Sequence, residues 1–154
     1  EVLSSGSTAI RPLLFSAQYN GEKFGLTAEY LYRWNHYRDY GVVPNFKFIS
    51  ESWYIQGSYR FIPQLQGIVR YDTFSSDIDD RGGQRAVSNG LSNHIAYAKD
   101  WMVGLRWDIT SSLMVRTEYH RVHGTAWLAQ ADNQQQSNTK QDWDLYALQF
   151  SYRF

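Results

Sequence analysis

The sequence predicts an all-β chain of about seven antiparallel strands, a transmembrane β-barrel segment belonging to a larger barrel. Three observations predict it. Apolar and aromatic residues recur at every second position through most of the chain, which is the period of a strand and not of a helix. Aromatic residues make up 17% of the 154 residues, with twelve Tyr, eight Phe and six Trp. A soluble core of this size has little room for so many rings, whereas a membrane barrel carries them outward in girdles at the lipid–water interfaces. Short turns alternate with long polar loops, as the two ends of such a barrel require.

The first strand, about 10–19, sets Leu13, Phe15, Ala17 and Tyr19 on one face, with Pro12 interrupting its upper end. The turn Asn20-Gly21-Glu22-Lys23 follows, and Asn-Gly is a strong hairpin signal. In the second strand, about 24–34, Phe24, Leu26, Ala28, Tyr30, Tyr32 and Trp34 oppose Thr27, Glu29 and Arg33. After a long loop over about 35–50, the third strand, about 52–61, sets Trp53, Ile55, Gly57, Tyr59 and Phe61 against Tyr54, Gln56, Ser58 and Arg60. Ile62-Pro63-Gln64 turns the chain into a fourth strand, about 65–74, with Leu65, Val69 and Tyr71 opposite Gln66, Arg70 and Asp72.

A second long loop covers about 75–97. The fifth strand, about 98–109, places Trp101, Val103, Leu105, Trp107 and Ile109 on one face and Gly104, Arg106 and Asp108 on the other. Thr110-Ser111-Ser112 leads into the sixth, about 113–124, whose outward Leu113, Val115, Thr117 and Tyr119 run on into Arg121 and His123. Its upper half is therefore expected to rise above the bilayer or to contain a bulge. A loop over about 125–141 precedes the clearest strand, the last. There Tyr146, Leu148, Phe150, Tyr152 and Phe154 oppose Ala147, Gln149, Ser151 and Arg153.

Composition narrows the function classes. Fifteen basic and fifteen acidic residues give a formal net charge of zero, without the basic excess of a nucleic-acid binder. The absence of cysteine excludes disulfides, thiolate metal sites and thiol catalysis. No apolar run approaches the ~20 residues of a spanning helix, but alternating strands escape that test. The chain opens on Glu1 with no charged start and apolar stretch, so a leader is expected to have been removed or the chain to be a piece of a longer one.

Periodicity alone also fits a soluble β-sandwich or a lipocalin-like barrel, which alternate with the apolar face inward. Rings near strand ends, an opposite face that mixes Arg with Asp and Glu, and the strict alternation of loop lengths favour the membrane. Strand direction then adds a parity rule. With the last strand descending, every odd strand descends, and Glu1 to Ala9 are expected at the extracellular end. Bacterial single-chain barrels have even strand numbers, so at least one further strand is expected before residue 1. A water-filled pore needs ~16 or more, supplied by an N-terminal portion of the same polypeptide or by other chains.

The terminal Leu148-Gln-Phe-Ser-Tyr-Arg-Phe154 resembles the C-terminal assembly signal of Gram-negative outer-membrane proteins, a last strand of alternating aromatics ending in Phe. Trp53-Tyr-Ile-Gln-Gly-Ser-Tyr-Arg-Phe61 with Val69-Arg-Tyr71, and Asp100-Trp-Met-Val-Gly-Leu-Arg-Trp-Asp108 with Arg116-Thr-Glu-Tyr-His120, resemble strands of the phosphate-selective porin-like group. The resemblance covers most of residues 50–154. It implies the C-terminal portion of one barrel domain in the bacterial outer membrane, with residues 1–154 in that domain. It implies a passive pore and not an enzyme, without cofactor, whose partners are the lipid bilayer, small hydrophilic or anionic solutes and the remainder of the barrel, in a homotrimer. Lys23, Lys47, Lys99 and Lys140 lie at turns, loops or strand ends, so a lysine-rich lumen is not part of the pattern.

The expected lumen is the polar face. It carries Arg33, Arg60, Arg70, Arg106, Arg116 and Arg153 with Glu29, Asp72, Asp108 and Glu118, joined by Gln18, Gln56, Gln149 and His120. Arginine forks match carboxylate and phosphate, so this face reads as a pore lining with slight anion preference. The plainer reading is a ladder of Arg–carboxylate pairs, since Arg70 with Asp72 and Arg116 with Glu118 lie two apart on one face. A non-conducting barrel, serving as anchor or as sheath for a partner, fits the same pattern.

Other chemistry is thinly marked. Asp77-Ile-Asp79-Asp80-Arg81-Gly82 has acids suited to calcium but lacks EF-hand spacing and its terminal Glu, and reads as a solvated loop. His120 and His123 are three apart on a strand and so face opposite sides. No G-x-S-x-G marks a nucleophile for a barrel hydrolase. Arg81-Gly82-Gly83 reads as a flexible stretch of polar loop and not as a phosphate cradle.

Overall fold

The computed structural model describes residues 6–42, 44–129, 132–133 and 139–154. The expectations for residues 1–5 at the extracellular end and for 130, 131 and 134–138 of the last long loop lie outside them. Seven strands form a single antiparallel sheet in sequence order: β1 (Ser7–Asn20), β2 (Phe24–Arg38), β3 (Phe46–Ile62), β4 (Leu65–Ser75), β5 (Tyr97–Asp108), β6 (Leu113–Gly124) and β7 (Asp142–Tyr152). The sheet is open. Among the described residues β1 and β7 are its two edges and do not pair with each other, so the fold is an antiparallel sheet and not a closed barrel.

Three expectations about strand limits are corrected. The β2–β3 hairpin is longer than alternation suggested, so that the connecting segment is 39–45 and not 35–50. Its upper part is held by pairs that an apolar-alternation test misses. Asn35 Nδ2 donates to Ser50 Oγ at 3.2 Å, and the Tyr37 ring stacks on Phe46 at 4.8 Å between centroids. Pro12 does not end β1. It sits inside the strand opposite Arg33, and an edge strand tolerates a missing N–H. Finally, of the two expectations for the upper half of β6 the bulge is not found: β6 keeps unbroken register with β5 and β7, and the irregularity falls instead in β3 between Arg60 and Ile62, next to the Pro63 turn.

The stretch between β4 and β5 is structured. A 3₁₀ turn at Ile78–Asp80, a short helix α1 (Gln84–Ser88) and a second 3₁₀ turn at Asn93–Ala96 fill it. Gly83, read from sequence as flexible, is a fixed point. Its φ of 70° is left-handed, and a Cβ there would stand 2.2 Å from the Asn93 carbonyl oxygen. Only glycine meets both conditions.

Register assigns every strand residue to one of two faces. One face presents Phe15, Tyr30, Trp53, Ile55, Val69, Tyr71, Trp101, Val103, Leu105, Trp107, Tyr146, Leu148 and Phe150. Most of these are exposed, with Trp101 at 58% and Val103 at 49%. The other face carries charges along its length, whereas those of the first (Arg11, Arg38, Lys47, Glu51, Lys99, Arg121, Asp142 and Asp144) lie toward the long loops. Most of the buried residues lie on this second face. Met102 is 1% exposed and Asp100 2%, with Ile68, Asp72, Ala98 and Val122 also buried. Soluble sheets bury apolar side chains and solvate polar ones, so the distribution here is inverted.

Candidate functional site: a charged sheet face

Antiparallel register turns the alternation of single strands into rows that cross the sheet. One row runs Ser16, Glu29, Tyr54, Asp72, Asp100, Val122, Trp143. The next holds Gln18, Thr27, Gln56, Arg70, Met102, His120 and Leu145. Two rows further toward the short turns come Arg60, Gln66, Arg106, Arg116 and Gln149. Successive rows on one face lie ~7 Å apart along the strands. Carboxylates are thus collected toward the long loops and arginines toward the short turns. Arg33 lies beyond the acidic row, and Asp108 beyond the basic one.

The structure therefore brings Glu29, Arg33, Arg60, Arg70, Asp72, Arg106, Asp108, Arg116 and Glu118 onto one face. Arg153 follows the end of β7. Its backbone N–H donates to the Ser112 carbonyl at 2.9 Å, and it lines a hollow with Arg106, Asp108 and Ser151. Residues on the face are tied locally. Arg70 Nε donates to Asp72 at 2.7 Å, and its guanidinium lies 4.9 Å from the centroid of the Tyr54 ring. Arg106 donates twice to Asp108 Oδ1, at 3.1 and 3.0 Å. Arg116 pairs with Glu118. The ladder reading thus describes Arg70, Arg106 and Arg116. It does not describe Arg33, which donates to Ser50 Oγ at 3.1 Å. Among the described residues Arg33, Arg60 and Arg153 have no carboxylate within ion-pair range.

Asp100 is the site residue that sequence reading passed over. It stands directly opposite Asp72, and its Oδ2 is 2.6 Å from His120 Nδ1. Its Oδ1 has no hydrogen-bond partner among the described residues. His120 Nε2 in turn lies 3.5 Å from Glu118, so the imidazole bridges two carboxylates. The period that assigned Gly104, Arg106 and Asp108 would have found Asp100 when carried four residues back. With it, the described residues of the face include six arginines and five carboxylates.

The acids of the loop after β4 have local duties. Asp77 accepts from the Asp79 backbone N–H at 3.0 Å and pairs with Arg85. Asp80 accepts the N–H groups of Gln84 and Arg85 at 2.7 and 2.8 Å, which caps α1. Arg81 pairs with Glu51 of β3, and that bond raises the guanidinium above its ordinary pKa. This segment also locks to the next loop. His94 meets Thr139 at 3.1 Å, the Thr125 N–H donates to the His94 carbonyl at 2.8 Å, and Gln141 Nε2 donates to the Tyr97 hydroxyl at 2.6 Å. His120 and His123 face opposite sides, the latter 2.9 Å from Asp142. Comparison with family models, with curated proteins and with solved structures found no match.

Proposed function

We propose that this sheet is wall of a bacterial outer-membrane β-barrel of the porin type, similar to the phosphate-selective porin-like group. Small hydrophilic solutes diffuse along its polar face with slight preference for anions. The observation that carries the reading is the inversion. Exposed Trp, Tyr, Phe and Leu side chains cover one face below a charged rim toward the long loops, while Asp, Glu and Arg run the length of the other. Lipid is the surrounding that makes such an arrangement favourable, because it replaces water on the apolar side and leaves the charges a protein-lined interior. Both sheet edges must then be paired, since an unpaired backbone group in hydrocarbon costs several kcal/mol. Further strands, of this polypeptide or of another copy, complete the wall.

The anion preference rests on what remains after pairing. Arg33, Arg60 and Arg153 have no ion-pair partner among the described residues, against Glu29 alone among the carboxylates of that face. Paired charges largely cancel at a distance, so the residual field is positive. A second reading is a non-conducting barrel that anchors or sheathes a partner. The close burial of Met102, Val122 and Asp100 favours it, because a filled face leaves less lumen. Planar-bilayer recording separates the two. Stepwise conductance with an anion-directed reversal potential is expected. A cation-directed potential would remove the arginine argument, and silent insertion would leave the non-conducting barrel.

A further inference from the structure

We infer that the outward corner formed by β1, β2 and β3 binds the phosphate of an anionic lipid headgroup. This rests on the membrane reading above and concerns the opposite face from the solute path. Register puts Ala9, His36 and Lys47 in one row and Arg11, Trp34 and Ile49 in the next, both on the apolar face and both toward the long loops. Arg38 follows one row beyond. These residues line one hollow of about 710 Å³, which Asp79 reaches from the loop after β4. The floor is apolar, and its Trp34 is 42% exposed. The rim is basic.

Three features single out this corner. First, Arg11, Arg38 and Lys47 have no carboxylate within ion-pair range among the described residues. Elsewhere on the same face Arg121 is held by Asp144 at 3.0 Å, and Glu51 is taken by Arg81 of the loop after β4. Second, the cations converge. Arg38 Nε donates to His36 Nδ1 at 3.1 Å, which sets the guanidinium beside the residue that stands opposite Lys47. Third, within β1, β2 and β3 the cations of this face begin at the row of its last exposed ring, Trp34. A headgroup phosphate stands at that height above acyl chains, so one amphiphile meets both Trp34 and the basic rim. Free phosphate would use the rim alone and leave the apolar floor bare. Among the described residues Asp79 is the only carboxylate lining the hollow, and it opposes the ligand.

The test uses the full chain reconstituted in phosphatidylcholine bilayers doped with spin-labelled phosphatidic acid or spin-labelled phosphatidylcholine. The fraction of motionally restricted label reports lipid at the protein surface. Phosphatidic acid is expected to be preferred by roughly fivefold or more, the factor one cation supplies at an anionic surface. The triple variant Arg11→Gln, Arg38→Gln, Lys47→Gln is expected to lose that preference. Asp79→Asn, a mild loop change, is expected to increase it, which keeps the inference testable if the triple variant does not assemble. Restricted label of both kinds with no preference overturns the headgroup site and leaves the membrane reading standing. No restricted label of either kind overturns both. Displacement of phosphatidic acid by millimolar inorganic phosphate overturns the lipid as the source of the anion.

Discussion

Replacing Val103 by Arg separates lipid from water on the apolar face. Val103 sits in β5 between Val69 of β4 and Tyr119 of β6, and is 49% exposed. β5 has 12 residues, which at ~3.3 Å each and a tilt of ~40° gives about 30 Å of height, close to the hydrocarbon thickness. Val103 lies near the middle of that span. If water bathes the face, a half-exposed Val→Arg change alters stability by only about 0.5 kcal/mol, because the long stem still covers its neighbours. If lipid does, the guanidinium at midplane costs ~2–4 kcal/mol. The two surroundings thus differ by a factor of at least about 10 in the folding equilibrium. The measurement is reversible urea unfolding of the reconstituted protein followed by Trp fluorescence. Gln149→Arg on the polar face is the control. It stands opposite Arg116, where a like charge is expected to cost no more than ~1 kcal/mol. A Val103→Arg protein as stable as the parent would refute the lipid-facing assignment, whatever the control does.

Three further outcomes follow from particular contacts. His120→Ala strips Asp100 of its one side-chain partner among the described residues and is expected to cost about 3 kcal/mol in urea unfolding, as for breaking a buried pair; adding Asp100→Asn should restore part of it, and an unchanged double variant would show that the two side chains are not coupled. Gly83→Ala must place a Cβ against the Asn93 carbonyl at positive φ, so protease nicking within 76–96 is expected to speed up by a strain of ~1–3 kcal/mol; an unchanged rate would mean that the loop relaxes freely. Arg60→Gln with Arg153→Gln removes two unpaired charges, and the anion-to-cation permeability ratio is expected to fall toward one, whereas a ratio that stays put would place the selectivity elsewhere.

The alternation, clearest in β5 and β7, was legible because period two is written in each strand by itself, and read strand by strand from β2 to β7 it assigned the ten charged residues to polar faces before any pairing was known. The rows were not legible in the same way. They depend on register between strands, which is why the opposition of Asp72 and Asp100 and the collection of arginines toward the short turns emerge only from the sheet. The upper hairpin of β2 and β3 was missed for a different reason: Asn35 with Ser50 and Tyr37 with Phe46 are cross-strand pairs, invisible to a search for apolar alternation. The cations of the outward corner lay partly inside that misread stretch. Asp77 and Asp80 looked like cation ligands because a carboxylate that caps a helix and one that binds metal are the same residue in a string of letters. A helix as short as α1 completes too few turns to leave a periodic trace.

Because each strand pairs with its neighbour in sequence, the sheet is a chain of interchangeable hairpins. Duplicating or deleting one hairpin would leave the direction and facing of every other strand unchanged, while widening or narrowing the wall by two strands. Gaining a single strand would reverse the direction of everything downstream, and gaining a single residue within a strand would exchange its faces from that point on. Heritable change in a wall of this kind is therefore quantised: lengths can drift freely in the loops, but the sheet itself can grow only in pairs.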